Sequence, residues 1–145
     1  MKKSIHILLV EDNEGDIILA KEALKDARII TRVSVVRNGD EALSFLHKHG
    51  HYVGVEVPDL VLLDINMPKI NGMEVLKRIK NDSNLKSIPI VMLTTSSLET
   101  DIKQAYENHA NCYITKPVDV DQFMDVVHKI EDFWILIAKL PPKEN

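Results

Sequence analysis

The stretch DLVLLDINMPKINGMEVL, residues 59–76, gives the strongest indication of the fold. Its apolar run from Leu60 to Leu63 changes abruptly to a carboxylate at Asp64. An apolar run without polar alternation is typical of a strand in a parallel sheet that is covered on both faces. Asn71 is a suitable cap for a helix that follows. The stretch therefore predicts one strand–loop–helix unit of an α/β protein.

Further strands are predicted on both sides of this unit. Runs rich in β-branched and aliphatic residues are Ile5 to Val10, Val33 to Val36, Ile90 to Leu93 and Cys112 to Ile114. The segments between them carry apolar residues at helical spacing, such as Ile17, Ala20, Leu24 and Ala27. This alternation predicts a doubly wound, five-stranded parallel sheet with helices on both faces. We expect one domain over residues 1–140 and a free tail over 141–145.

Composition narrows the possible classes of function. The chain has 145 residues, of which 45% are hydrophobic, enough for one core but hardly for two domains. Its longest apolar stretch, Phe133 to Ala138, is far shorter than the roughly 20 residues that cross a bilayer, so we expect no membrane span and no signal peptide. A single cysteine cannot form a disulfide framework, which favours the cytoplasm. A net charge of −4 without a basic run argues against direct nucleic-acid binding.

Polar side chains stand at the ends of the predicted strands, where doubly wound proteins bind ligands. Glu11 and Asp12 end the first strand, and Asp64 ends the third. Carboxylates brought together at one sheet edge resist joint ionisation unless a cation lies among them. Oxygen ligands without His or Cys favour Mg²⁺, with Mn²⁺ as a possible substitute. The pattern therefore predicts a divalent metal site.

Phosphoryl chemistry suits a metal site of this kind. Asp64 is the best placed nucleophile, because it ends the most apolar and therefore central strand. Lys116 would contact one phosphoryl oxygen, and the hydroxyl of Thr94 would contact another. Taken singly, Thr94 is explained as a strand former and Lys116 as a solvated charge. Their joint occurrence at strand ends favours the phosphoryl site.

Four segments, in order along the chain, resemble the signature segments of response-regulator receiver domains. They are ILLVEDN at 7–13, the stretch at 59–76, PIVMLTTSS at 89–97 and CYITKP at 112–117. The resemblance implies a flavodoxin-like fold, Asp64 as phosphoacceptor and Thr94 with Lys116 as phosphoryl contacts. It further implies Glu11, Asp12 and the backbone carbonyl of Asn66 as Mg²⁺ ligands. By the same resemblance, Thr94 and Tyr113 form a switch pair, whereas Asn66 and Ser96 tune the loss of the phosphoryl group to water.

A narrower resemblance is to the single-domain regulators that partner cyanobacterial phytochrome histidine kinases. Its segments are VEDNEGDI at 10–17, NCYITKPVD at 111–119 and IEDFWILIAKLP at 130–141. The resemblance implies a stand-alone regulator of a two-component phosphorelay. Such a regulator accepts a phosphoryl group from a sensor histidine kinase, for example one of the phytochrome type, and signals through protein contacts. It is not an enzyme with a separate substrate, although it promotes its own phosphorylation and slow dephosphorylation.

The last helical segment is more apolar than one buried face requires. Ile135 and Leu136 fall off the apolar stripe that includes Phe133 and Trp134. We therefore expect a homodimer that buries the segment from Phe133 to Leu140. Alternatively, the segment folds back onto its own domain.

Two other functions compete with the phosphorylation switch. An aspartyl-phosphate phosphatase requires an acid two residues after its nucleophile, where this chain has Asn66. An adaptor that no longer takes phosphate would lack an essential group, and none is missing.

His47, His49 and His51 do not match the spacing of a zinc motif, so we expect them to be solvated.

Overall fold

The computed structural model describes residues 4–27, 30–67, 69–95 and 99–129. Across these residues strands and α-helices alternate five times. The strands are β1 Ile5–Val10, β2 Thr31–Val36, β3 Leu60–Asp64, β4 Ile90–Thr94 and β5 Cys112–Thr115. The helices are α1 Glu14–Lys25, α2 Gly39–Leu46, α3 Gly72–Lys80, α4 Glu99–Glu107 and α5 Val120–Lys129, and a short 3-10 helix spans Gly50–Tyr52.

All five strands lie parallel in one sheet, in the order β2-β1-β3-β4-β5. The strand that ends in Asp64 is therefore central, as predicted. Val10 of β1 pairs with Leu63 of β3, so these two strands reach the carboxyl edge of the sheet together. The strand order reverses between β1 and β3, and this point is where a doubly wound sheet opens a crevice for a ligand.

The sheet separates two apolar layers. Leu62 of β3 faces a layer closed by α1 and α5, which contributes the fully buried Phe123. Leu63 faces the other layer, which contains Ala42 of α2 and Leu76 of α3. Every residue of β1, β3 and β4 is buried, as expected for inner strands covered on both sides.

Most predicted element boundaries agree with the structure to within two residues. Strand β2 begins at Thr31 rather than Val33, and Ala27 lies beyond the last residue of α1 but still packs against the core. Asn71 caps α3 as predicted, because its Oδ1 accepts a hydrogen bond from the Glu74 N–H at 3.0 Å. None of the helices in the described ranges has the length and apolar character needed to cross a membrane.

Several predicted features lie outside the described residues. These are Ser96, the tail at 141–145 and the dimer residues Phe133, Trp134, Ile135 and Leu136. The boundary at residue 140 therefore stays a prediction. The histidines that we expected to be solvated, His47, His49 and His51, are exposed.

Candidate functional site

Three carboxylates meet at the carboxyl edge of β1 and β3. Glu11, Asp12 and Asp64 each offer an oxygen, and these oxygens all lie within 4.8 Å of one another. Glu11 and Asp64 are each 1% exposed, whereas Asp12 is open to solvent. The backbone N–H of Asn13 donates a hydrogen bond to Glu11 Oε2 at 3.1 Å and so orients the glutamate. The structure thus brings together the three acids that the sequence predicted to lie at one sheet edge.

Lys116 brings a positive charge to the carboxylates from the loop that follows β5. Its Nζ lies 2.7 Å from Glu11 Oε1 and 3.2 Å from Asp64 Oδ1, and the lysine side chain is 8% exposed. The backbone N–H of Lys116 donates to the carbonyl oxygen of Thr94 at 2.8 Å, which extends the β4–β5 pairing by one residue. The Lys116–Pro117 peptide bond is cis. Lys116 therefore lies among the buried acids rather than in solvent.

Asp16 is a member of this charged group that the sequence analysis missed. Its Oδ2 accepts a hydrogen bond from the Lys116 Nζ at 3.1 Å. Asp16 lies in the first turn of α1, where its N–H donates to the capping side chain of Asn13 at 2.9 Å. The sequence carried one signal for Asp16. Asn13 is a suitable helix cap close after the first strand, so an acid in the first turn of that helix is expected near the end of the strand.

Burial and charge shift the pKa values of two residues in the group. Burial raises the pKa of Glu11 to about 7, and this outweighs the ion pair with Lys116 and the hydrogen bond from Asn13. Burial by itself would lower the pKa of Lys116, but the contacts with Glu11, Asp64 and Asp16 raise it above its ordinary value. The lysine therefore stays charged while the acids remain in excess. A hard divalent cation among Glu11, Asp12 and Asp64 fits this donor set and relieves the excess charge.

The loop after β3 is packed tightly against Asp64. The N–H of Asn66 donates to Asp64 Oδ1 at 3.1 Å, and the side chain of Asn66 is exposed at the rim of the site. Gly72 N–H donates to the carbonyl oxygen of Ile65 at 2.9 Å. A Cβ at position 72 would collide with the backbone carbonyl of Asp64, so glycine is required for this approach.

The two predicted switch residues lie on neighbouring strands. Thr94 ends β4, is 1% exposed and pairs with Thr115. Tyr113 of β5 is half-buried, and its ring meets that of Tyr106 edge-on with centroids 6.1 Å apart. Thr94 thus lies at the same sheet edge as Asp64, whereas Tyr113 lies further back along its strand and contacts α4.

Comparison with known proteins gives a consistent set of relatives. Residues 7–128 match the family described as the response regulator receiver domain. The response regulator Rcp1 of Synechocystis sp. is 44% identical over 135 residues, which cover 93% of this chain and 92% of Rcp1.

Two solved structures of response regulators resemble the fold over almost their whole length. The phosphorylated cyanobacterial phytochrome response regulator RcpA is 47% identical with a TM-score of 0.78, covering 96% of this chain and 99% of RcpA. The Mn²⁺-bound form of Rcp1 is 43% identical with a TM-score of 0.76, covering 94% of this chain and 99% of that structure.

Proposed function

The chain belongs to the response regulator receiver domain family, and we propose that it accepts a phosphoryl group from a sensor histidine kinase onto Asp64. The main support is the position of Asp64 at the end of the central strand, beside two further acids and 3.2 Å from the Lys116 ammonium. This arrangement combines a nucleophilic carboxylate with groups that neutralise phosphoryl charge.

Glu11, Asp12 and Asp64 would hold Mg²⁺, or Mn²⁺ in its place, with the backbone carbonyl of Asn66 as a further ligand. When bound, the ion supplies positive charge that offsets the acids and the phosphoryl oxygens. The burial of Glu11 and its raised pKa, to about 7, support a cation at this position. A relative that is 43% identical has been solved in a Mn²⁺-bound form, which supports the same class of ion.

The chain's own residues carry out the transfer. The ionised carboxylate of Asp64 attacks the phosphorus of a phosphohistidine, so that an O–P bond forms as the N–P bond breaks. The leaving imidazole keeps the electron pair of the broken bond. Lys116 donates to one phosphoryl oxygen, and the hydroxyl of Thr94 donates to another. No general base is needed, because the attacking carboxylate carries no proton.

The phosphorylated state would be signalled through Thr94 and Tyr113. Thr94 would move toward the phosphoryl group, and Tyr113 would repack against the space behind it. This proposal is supported by the place of Tyr113, which lies half-buried on the strand next to Thr94 and meets Tyr106 of α4 edge-on. Asn66 and Ser96 would tune how fast water removes the phosphoryl group.

Membership of this family supports a proposal for the cellular setting. We infer that the protein is a cytoplasmic regulator with a receiver domain over 1–140, and that its output is protein contact rather than nucleic-acid binding. A phytochrome-type kinase is the proposed partner, because RcpA, a phytochrome response regulator, is 47% identical. A homodimer through Phe133, Trp134, Ile135 and Leu136 is proposed on the apolar sequence of that segment.

Intact-mass spectrometry after incubation with acetyl phosphate and Mg²⁺ tests the proposed function. We expect one added phosphate, none in Asp64→Asn and none when EDTA removes the metal. Asp40→Asn is the matched control, because Asp40 is an exposed acid in the first turn of α2. Equal labelling of the wild type and Asp64→Asn would refute the proposal.

A further inference from the structure

Asp16 is the most exposed of the three carboxylates that contact Lys116 within the described chain. Glu11 Oε1, Asp16 Oδ2 and Asp64 Oδ1 lie 2.7, 3.1 and 3.2 Å from its Nζ. The side chains of Glu11 and Asp64 are 1% and 2% exposed, whereas that of Asp16 is 30% exposed. The lysine is therefore held by two buried acids and by one acid at the mouth of the site.

The contacts of Lys116 differ in kind. Asp16 Oδ2 accepts a hydrogen bond from the Lys116 Nζ at 3.1 Å, whereas Glu11 Oε1, at 2.7 Å, forms an ion pair without hydrogen-bond geometry. A phosphoryl oxygen that arrives from the mouth of the site therefore competes with Asp16 for this N–H donor. Displacing Asp16 costs little, because water replaces the lysine at a part-exposed carboxylate.

We propose that Asp16 is a positioning residue that occupies, in the unphosphorylated protein, the place on Lys116 that a phosphoryl oxygen takes. The contact holds the ammonium at the mouth of the site and competes with the incoming group. Asp16 also adds a negative charge near that group. Both effects weaken the binding of a phosphoryl group in its final place. The inference rests on the proposed function and assigns a role to a residue of α1 that lies outside the Glu11–Asp12–Asp64 group.

Beryllium trifluoride in the presence of Mg²⁺ is a suitable probe, because it imitates a phosphoryl group on a carboxylate without covalent turnover. Its affinity is measured by ¹⁹F NMR titration for the wild type, Asp16→Asn and Asp16→Glu. We expect Asp16→Asn to bind about twofold to fivefold more tightly, the range given by removing a part-exposed ion pair. Asp16→Glu keeps the charge and is expected to stay near the wild type.

Glu14→Gln is the matched control for charge on the same turn. Glu14 pairs with Arg37 at 2.8 Å, is largely exposed and, in the described part of the chain, forms no ion pair with Lys116. The same variants are then phosphorylated with acetyl phosphate, where Asp16→Asn should lower the half-saturating concentration and leave thermal stability nearly unchanged.

The possible outcomes distinguish the role of Asp16 from the proposed function. If the wild type binds the probe and Asp16→Asn binds it equally or more weakly, Asp16 is not a competitor for Lys116. An equal gain in Glu14→Gln would mean that general surface charge, rather than the Asp16 contact, is responsible. If the wild type neither binds the probe nor becomes phosphorylated, the proposed function fails and the role of Asp16 fails with it.

Discussion

The Nζ of Lys116 lies 3.2 Å from Oδ1 of Asp64, which joins the loop after β5 to the end of the central strand. The same oxygen accepts a hydrogen bond from the N–H of Asn66 at 3.1 Å. These two contacts fix the orientation of the Asp64 carboxylate at the sheet edge. The candidate nucleophile is therefore positioned before any phosphoryl donor arrives.

Replacing Lys116 by methionine should destabilise the protein in the absence of metal. The substitution keeps most of the apolar stem and removes the charge that Glu11 and Asp64 share in a buried setting. We expect the free energy of unfolding to fall by about 3 kcal/mol, the cost of leaving a buried charge unpaired. Urea denaturation measures this free energy of unfolding, and Lys77→Met, on the exposed face of α3, is the control. Equal stability of Lys116→Met and the wild type would contradict the ion-pair account.

Gly72→Ala should displace Asp64. An added Cβ collides with the Asp64 carbonyl and approaches the Ile65 Cα at 2.8 Å, and backbone atoms cannot rotate away as a side chain does. We expect a loss of about 1–3 kcal/mol in stability together with slower phosphorylation by acetyl phosphate. Gly54→Ala is the control, because a Cβ there meets nothing within 4 Å. A variant with wild-type stability and phosphorylation rate would show that the loop is looser than the structure indicates.

The buried His6 should make stability depend on pH. Burial, assisted by the charge of Arg32, lowers the pKa of His6 from its ordinary value of 6.5. The Nε2 atom of the ring lies 2.8 Å from the Oγ of Ser34. The unfolded chain therefore takes up the proton more readily than the folded protein. Stability from this residue is complete above pH 6.5 and is lost as the pH falls through the lower pKa of the folded state.

The measurement for His6 is urea denaturation at pH 7.5 and pH 5.5. We expect His6→Gln to show a smaller difference in unfolding free energy between the two pH values than the wild type. His51→Gln, which changes an exposed histidine, should keep the wild-type difference. The same pH difference in all three proteins would mean that His6 is not responsible.

The proposed homodimer predicts a change of mass on truncation. Light scattering should give twice the chain mass for the full chain, and the mass of a single chain for a version that ends at Ile130. The reason lies in the sequence from Phe133 to Leu140, in which Ile135 and Leu136 fall off the apolar stripe that a helical spacing would give. An identical state of association for both versions would remove the dimer proposal.

Much of the candidate site could be predicted because parallel strands share one carboxyl edge. Glu11, Asp64, Thr94 and Lys116 each follow an apolar run, and this alone places them at that edge. Asp16 could not be found in this way, because its place depends on how α1 is rotated and on the reach of Lys116. The start of β2 was missed for another reason. Because β2 is an outer strand of the sheet, Thr31 is half-buried and Arg32 is exposed, so the strand does not begin as an apolar run.

Chemical mapping of the phosphorylated residue tests the central claim most directly. Borohydride reduces an aspartyl phosphate to homoserine, and peptide sequencing by mass spectrometry then identifies its position. After phosphorylation with acetyl phosphate and Mg²⁺, homoserine is expected at position 64 alone. Homoserine at another acid, such as Asp12 or Asp16, or a stable phosphate on a hydroxyl or histidine side chain, would contradict the account.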